Sequence, residues 1–194
     1  MLEKKPLAVD PTVPTVNGLV LLDNEGKRVA VQYFGEKLMG DVSAQSEVEM
    51  SLYTKTVRTN ARGEAEIIML DDAVAVYRFV GDLMFFVLGD VDENEIILSD
   101  VLTGFCDSIT LLLRNAVEKK TVLENLDLVL LAMDEISEGG LLLETDPAVI
   151  ATRVTMRAGD DTGDSPMGMD NPGLQSLSAA FGNVKEQLAR SLLK

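Results

Sequence analysis

Residues 94–147 read NEIILSDVLTGFCDSITLLLRNAVEKKTVLENLDLVLLAMDEISEGGLLLETDP. Two long apolar-periodic stretches are joined here by a basic turn and closed by a Gly-Gly pair. The first, Glu93 to Arg114, begins with acidic residues, as the positive end of a helix favours. Ile97, Val101, Phe105, Ile109, Leu112 and Leu113 mark one face, and Leu98, Leu102 and Leu111 widen it beyond the usual stripe. The second, Thr121 to Ile136, carries Leu123, Leu126, Val129, Leu130 and Met133, with Gly139 as its expected stop. Asp146-Pro147 then opens a last short helix through about Met156, with Asp as cap and Pro at the first helical position.

Upstream, the pattern changes to strands. Leu19 to Leu22 and Val29 to Phe34 flank the turn cluster Asp23-Asn24-Glu25-Gly26-Lys27, which predicts a hairpin. Ala65 to Leu70, Val74 to Val80 and Leu83 to Leu88 follow, separated by Asp71-Asp72 and Gly81-Asp82. The expectation is a five-stranded antiparallel meander interrupted once. The interruption, Val42 to Arg58, predicts a weaker helix capped by Ser43, with Val48, Leu52 and Tyr53 on its apolar face. Leu83 to Leu88 is apolar at every position, so this antiparallel strand needs cover on both faces of the sheet. One inserted helix and two following helices supply the two layers. The order ββαβββαα defines an α+β domain, and Phe86, Leu102 and Leu130 are expected in the core where sheet meets helices.

A length of 194 residues fits one domain with appendages. Residues 1–15 read as a loose arm, 16–156 as the domain, 157–173 (RAGDDTGDSPMGMDNPG) as a linker, and 174–194 as a final helix. Within that helix Leu174, Leu177, Phe181, Val184, Leu188 and Leu192 recur at spacings of three or four. Leu177, Phe181, Val184 and Leu188 are the candidate partner-binding residues, docking either on another chain or back on the domain.

The net charge of −15 excludes a nucleic-acid partner, because phosphate binding needs clustered Lys and Arg. It also disfavours direct docking on an anionic leaflet. The single Cys106 fits a reducing compartment. The start of the chain shows no signal-peptide core, and no stretch approaches the roughly 18 apolar residues of a membrane span. The expectation is a cytosolic protein.

No catalytic residue, cofactor site or metal site emerges. The chain has no histidine and one cysteine, which removes the commonest general base and any thiolate zinc site. Phosphate-cradling glycine motifs and a nucleophile elbow are absent. Asp90 to Glu95 resembles a calcium loop only superficially, since Glu95 stands where the turn needs Gly and Val101 where the bidentate Glu belongs. Asp134, Glu135 and Glu138 are expected to pair with Lys119 or Lys120. The cluster Arg114, Lys119 and Lys120 is either a solvated helix end or a partner contact.

An ordered set of short motifs gives the chain a family resemblance. These are Val76-Tyr77-Arg78, Asp92-Glu93-Asn94-Glu95, Val117-Glu118-Lys119-Lys120, Leu123-Glu124-Asn125, Asp134-Glu135-Ile136, Gly139-Gly140 with Leu143-Glu144-Thr145-Asp146-Pro147, and Lys185-Glu186-Gln187-Leu188 with Ser191-Leu192-Leu193-Lys194. Together they resemble the coatomer zeta subunits, of the adaptor small-subunit, longin-like family. The N-terminal arm, the Asp/Gly linker and Ser137-Glu138 depart from the family pattern.

The resemblance implies a longin-like sheet covered on both faces, and a non-enzymatic coat subunit with no cofactor. It implies direct binding to the coatomer gamma subunit within a heptamer, recruited indirectly by an ARF-family GTPase. It further implies retrograde Golgi-to-endoplasmic-reticulum and intra-Golgi transport. Localisation would be cytoplasmic and peripheral on Golgi membranes and vesicles, with membrane association through the complex. A sigma-type small subunit of a clathrin adaptor shares the implied fold and is the alternative.

Overall fold

β5 (Leu83–Gly89) is buried at every position, and the rest of the molecule is arranged to cover it. The computed structural model describes residues 13–34, 38–59 and 61–160. β5 lies between β1 (Gly18–Asp23) and β4 (Val74–Val80); β2 (Arg28–Tyr33) and β3 (Glu66–Met69) form the edges. All four pairings are antiparallel.

The sheet order is β2-β1-β5-β4-β3, not the expected meander. A meander would place β2 beside β3 and leave β1 at an edge. All six residues of β1 are buried, whereas β2 exposes Arg28. Burying the more apolar strand against β5 therefore decides the order.

Side-chain alternation splits the core into two layers. Leu19, Leu21, Val76, Phe85 and Val87 face one way, toward helices on the C-terminal side of the chain. Val20, Leu22, Tyr33, Tyr77, Phe86 and Leu88 face the other, toward Leu52. Phe85 meets Phe105 edge-on with ring centroids 5.1 Å apart, and Tyr77 stacks on Phe86 at 5.7 Å. The expected two-sided cover is present.

The second layer is closed by α1 (Val42–Thr56). Its cap is Asp41, whose carboxylate accepts from Ser43 N at 3.0 Å and Ala44 N at 3.1 Å. Ser43 lies inside the first turn, where its side chain cannot take the capping role assigned to it from sequence.

The first layer holds α2 (Glu95–Leu112), capped by Asn94. The helix expected over Thr121–Ile136 is two helices, α3 (Lys119–Glu124) and α4 (Leu126–Ile136). The break is at Asn125, with φ −128° and ψ 37°, whose side chain donates to Thr121 O at 2.8 Å. Such local side-chain bonding competes with helix continuation. The break resets the helical phase. Val122, Val129, Ala132, Met133 and Ile136 are buried, while Leu130 is 43 % exposed instead of lying in the core. Phe86 and Leu102 are buried as expected.

α4 ends as Ser137 turns extended, and a two-residue-stranded hairpin follows: β6 (Ser137–Glu138) and β7 (Leu141–Leu142). Gly139 and Gly140, with φ 59° and 88°, form the hairpin's turn and not a helix stop. Both positions need the left-handed conformation that glycine adopts freely. Thr15 bridges to Leu141 and its hydroxyl donates to Glu93 Oε1 at 2.7 Å, so the last residue of the expected arm is already tied down.

α5 (Pro147–Asp160) starts where expected, with Asp146 accepting from Ala148 N and Val149 N, and runs past Met156. Ile150, Ala151 and Val154 bury its inner face. α2 approaches the segment before α5 so closely that a Cβ on Gly104 would lie 2.4 Å from Thr145 O. Among the described residues no helix is long and apolar enough to cross a membrane.

Candidate partner-binding surfaces

Two surface depressions stand out among the described residues. The smaller is a polar cleft of about 310 Å³ where β2, the end of α4, the β6–β7 hairpin and α5 converge. Gln32, Asp134, Glu135, Glu138, Leu143 and Arg157 line it. Gln32 Nε2 donates to Asp134 Oδ1 at 2.6 Å, which links the edge strand to α4. Glu135 is 6 % exposed at its side chain and pairs with two guanidinium groups of α5. Arg157 Nη1 lies 2.8 Å from its Oε1 and Arg153 Nη1 lies 3.6 Å from its Oε2. Arg153 also reaches Glu144 at 3.4 Å. Arg153 and Arg157 stand one helical turn apart, which brings both to the same side of α5.

The larger depression, about 620 Å³, is an open groove along the outer side of α1, lined by Ser43, Ser46, Met50, Ser51, Thr54 and Lys55 among others. Met50 is exposed there. Ile67 and Met69 of the edge strand β3 are also exposed. They pair in register with Val76 and Val74, so they extend the α2 side of the sheet beyond its helix cover. Lys55 Nζ donates to Met69 O at 3.0 Å, placing a charge at this edge. Charged side chains at edge strands discourage indiscriminate strand pairing.

The ion pairs differ from those expected. Lys119 Nζ pairs with Asp23 Oδ2 at 2.7 Å, and Lys120 with Glu124 at 3.8 Å. Neither reaches Asp134, Glu135 or Glu138, because the helix break points α3 toward the β1–β2 turn and leaves the end of α4 to α5. The Asp23 carboxylate also accepts from the amides of Glu25 and Lys27. Burial alone would raise its pKa, but these bonds and the Lys119 ammonium outweigh that and hold it below its usual value.

Cys106 is buried, and burial pushes its thiol up to about 12 despite the nearby Arg78 guanidinium, so it is a packing residue and a poor nucleophile. Among the described residues no group of three or more His, Cys, Asp or Glu could hold a metal ion. Asp90 Oδ1 accepts from the Val91 amide at 2.7 Å, and Asp90 O accepts from the Glu93 amide at 3.1 Å, which closes a local turn.

The four residues put forward from sequence, Leu177, Phe181, Val184 and Leu188, lie outside the described residues. The convergence of Gln32, Glu138 and Arg157 was not visible in the sequence. Its one signal is the i, i+4 pair Arg153 and Arg157 on an otherwise amphipathic helix, which asks for a facing carboxylate.

A five-stranded antiparallel sheet with one helix on one face and a helical layer on the other is the architecture of an adaptor small chain. Residues 15–161 match the family model for the clathrin adaptor complex small chain. The chain is 46 % identical to coatomer subunit zeta-1 of Arabidopsis thaliana over 181 residues, which are 93 % of this chain and 98 % of that one. It is 36 % identical to human coatomer subunit zeta-1 over 97 % of this chain and 98 % of the relative. A chain of a homology model of the full-length AP-3 complex superposes with a TM-score of 0.61 at 16 % identity, covering 79 % of this chain and 99 % of that one. The chain belongs to the clathrin adaptor complex small chain family, within it to the coatomer zeta subunits, and is thus a subunit of a vesicle coat.

Proposed function

We propose that this chain is a non-enzymatic subunit that binds the coatomer gamma subunit directly. Through it the chain joins the coatomer heptamer, which a GTP-bound ARF-family GTPase recruits to Golgi membranes. Its work is retrograde Golgi-to-endoplasmic-reticulum and intra-Golgi vesicle transport, from a cytoplasmic pool that becomes peripheral on those membranes. The observation that supports this is the nearly end-to-end similarity, at 46 % and 36 % identity, to coatomer zeta subunits from a plant and from human.

The surface supports a chain that works in company. Met50, Ile67, Met69, Ile96, Leu143 and Met156 are each more than half exposed. Contiguous exposed apolar surface marks interfaces, and Ile67 and Met69 stand on one face of the edge strand β3. The tail residues Leu177, Phe181, Val184 and Leu188 are proposed as an additional helical contact.

Co-expression with the N-terminal helical trunk of the gamma subunit tests the proposal. The expected result is a stoichiometric complex on size exclusion, and self-association or poor solubility of the chain alone. A monodisperse monomer that ignores the trunk overturns it.

A further inference from the structure

We infer that the outer edge of β3 takes up an extended segment of another protein as a sixth strand of the sheet, a segment apolar at alternate positions and basic at its ends. The inference goes beyond the partnership with the large gamma subunit proposed above and does not depend on it.

The first argument is backbone chemistry. Leu70 N donates to Ala73 O at 2.8 Å, which sets the first rung between β3 and β4. From that rung the register pairs Ile68 with Ala75 and Glu66 with Tyr77. In an antiparallel ladder only alternate residues bond to a given neighbour. Leu70, Ile68 and Glu66 therefore bond to β4, and the amides and carbonyls of Ile67 and Met69 point out of the sheet. Lys55 Nζ donates to Met69 O at 3.0 Å, where the amide of an added strand would donate. Among the described residues no backbone group meets the Ile67 amide, the Ile67 carbonyl or the Met69 amide. Such a row of outward groups is a template for one more strand. The opposite edge differs, because Gln32 of β2 is tied to Asp134 of α4 at 2.6 Å.

The second argument is the side chains beside those groups. Ile67 and Met69 are 52 % and 57 % exposed and stand on one face of the strand. Residues directly opposite them on an added strand would share that face, and apolar cross-strand pairs stabilise a sheet. The added segment is therefore apolar at every second position.

The third argument is charge, which also sets the occupant apart from a second copy of this chain. Glu64, Glu66, Asp71 and Asp72 flank the apolar pair, and residues 63–73 contain no Lys or Arg. Glu66 accepts from the Tyr77 hydroxyl at 2.6 Å, and none of Glu64, Glu66 and Asp71 forms an ion pair with a described residue. Pairing β3 with itself so that Ile67 faces Met69 would set Glu64 against Asp72, and like charges directly opposite are destabilising. Basic ends on a foreign strand turn that repulsion into attraction.

The probe is the end-blocked peptide Lys-Lys-Thr-Val-Thr-Val-Lys-Val-Lys, titrated into the full-length chain. Aligned antiparallel, its first two valines face Met69 and Ile67 and its lysines face the four carboxylates. Hydrogen exchange read by NMR is expected to show the Ile67 and Met69 amides protected on binding. Ile67→Pro removes one outward donor without cutting a bond to β4, a place where an edge strand tolerates proline. It is expected to weaken binding about tenfold, the upper range for one hydrogen bond. A second measurement leaves the protein untouched, in case that variant misfolds. Methylating the amides of the first two valines is expected to abolish binding, because those amides point at β3. Methylating the two threonine amides, which point away, is expected to leave it intact. Equal affinity for all three peptides would mean attraction to an acidic surface alone and overturns the inference. Protection that appears elsewhere than at Ile67 and Met69 overturns it as well. If the same two amides become protected in the chain alone as its concentration rises, a second copy is the occupant and the inference is overturned.

Discussion

Arg28 on β2 and Glu49 on α1 form a two-pronged ion pair, Nη2 to Oε1 at 2.6 Å and Nε to Oε2 at 3.2 Å. The Tyr33 hydroxyl donates to the same Oε1 at 3.1 Å. Glu49 is buried, and this pair fastens the helix that covers one face of the sheet to an edge strand. Burial and the adjacent carboxylate push the Tyr33 hydroxyl far above the usual phenol range, so it remains a donor at all ordinary pH.

Replacing Glu49 by Ala strands a half-buried guanidinium and a buried hydroxyl. The expected loss is about 2–3 kcal/mol, below the value for a fully buried pair because water still reaches Arg28. Urea melts check it. A loss under roughly 0.5 kcal/mol would show that α1 is held by Leu52 and its neighbours alone.

Acid sensitivity should concentrate at Asp23. Its folded pKa is depressed, so its contribution is complete above the unfolded value of about 3.9 and disappears as pH falls through the lower folded value. Asp23→Asn should therefore destabilise by about 1 kcal/mol at pH 6, the modest size reflecting a Lys119 partner that is 40 % exposed. The gap between wild type and variant should close as pH falls below about 4. A gap that persists undiminished well below that pH contradicts the ion-pair account.

Core truncations should separate two leucines that the sequence treats alike. Leu102→Ala should cost about 2–5 kcal/mol. Leu130→Ala should change the isolated chain by less than about 0.5 kcal/mol, because its side chain is half in solvent. Equal effects in thermal melts would mean the break at Asn125 does not reset the helix phase in solution.

Removing residues 161–194 should leave the melting of the remaining chain nearly unchanged and weaken its binding to the large subunit. Phe181→Asp with Leu188→Asp in the full chain should reproduce that loss, since helical contacts act through residues three and four apart. Undiminished binding in both cases would remove the tail from the interface, and unfolding on deletion would show that it packs on its own domain.

The periodic apolar pattern determined a good deal by itself. β1, β2, β4, β5, α2 and α5 lie close to their expected positions, because strand and helix periods and the Asp146-Pro147 start signal are local properties. The all-apolar β5 also announced a sheet covered on both faces. Tertiary structure decided the rest. Strand order followed from which strand could be buried on both edges, a comparison between β1 and β2 that no local window makes. The exposure of Leu130 followed from a break at Asn125, where one side-chain hydrogen bond changed the phase of every residue after it. Glu135 found Arg153 and Arg157, not Lys119, because packing placed α5 beside the end of α4. The cleft lined by Gln32, Asp134, Glu138 and Arg157 joins β2 to three consecutive later elements, and the Gln32–Asp134 bond that closes it spans 102 positions of sequence, a convergence made only in space.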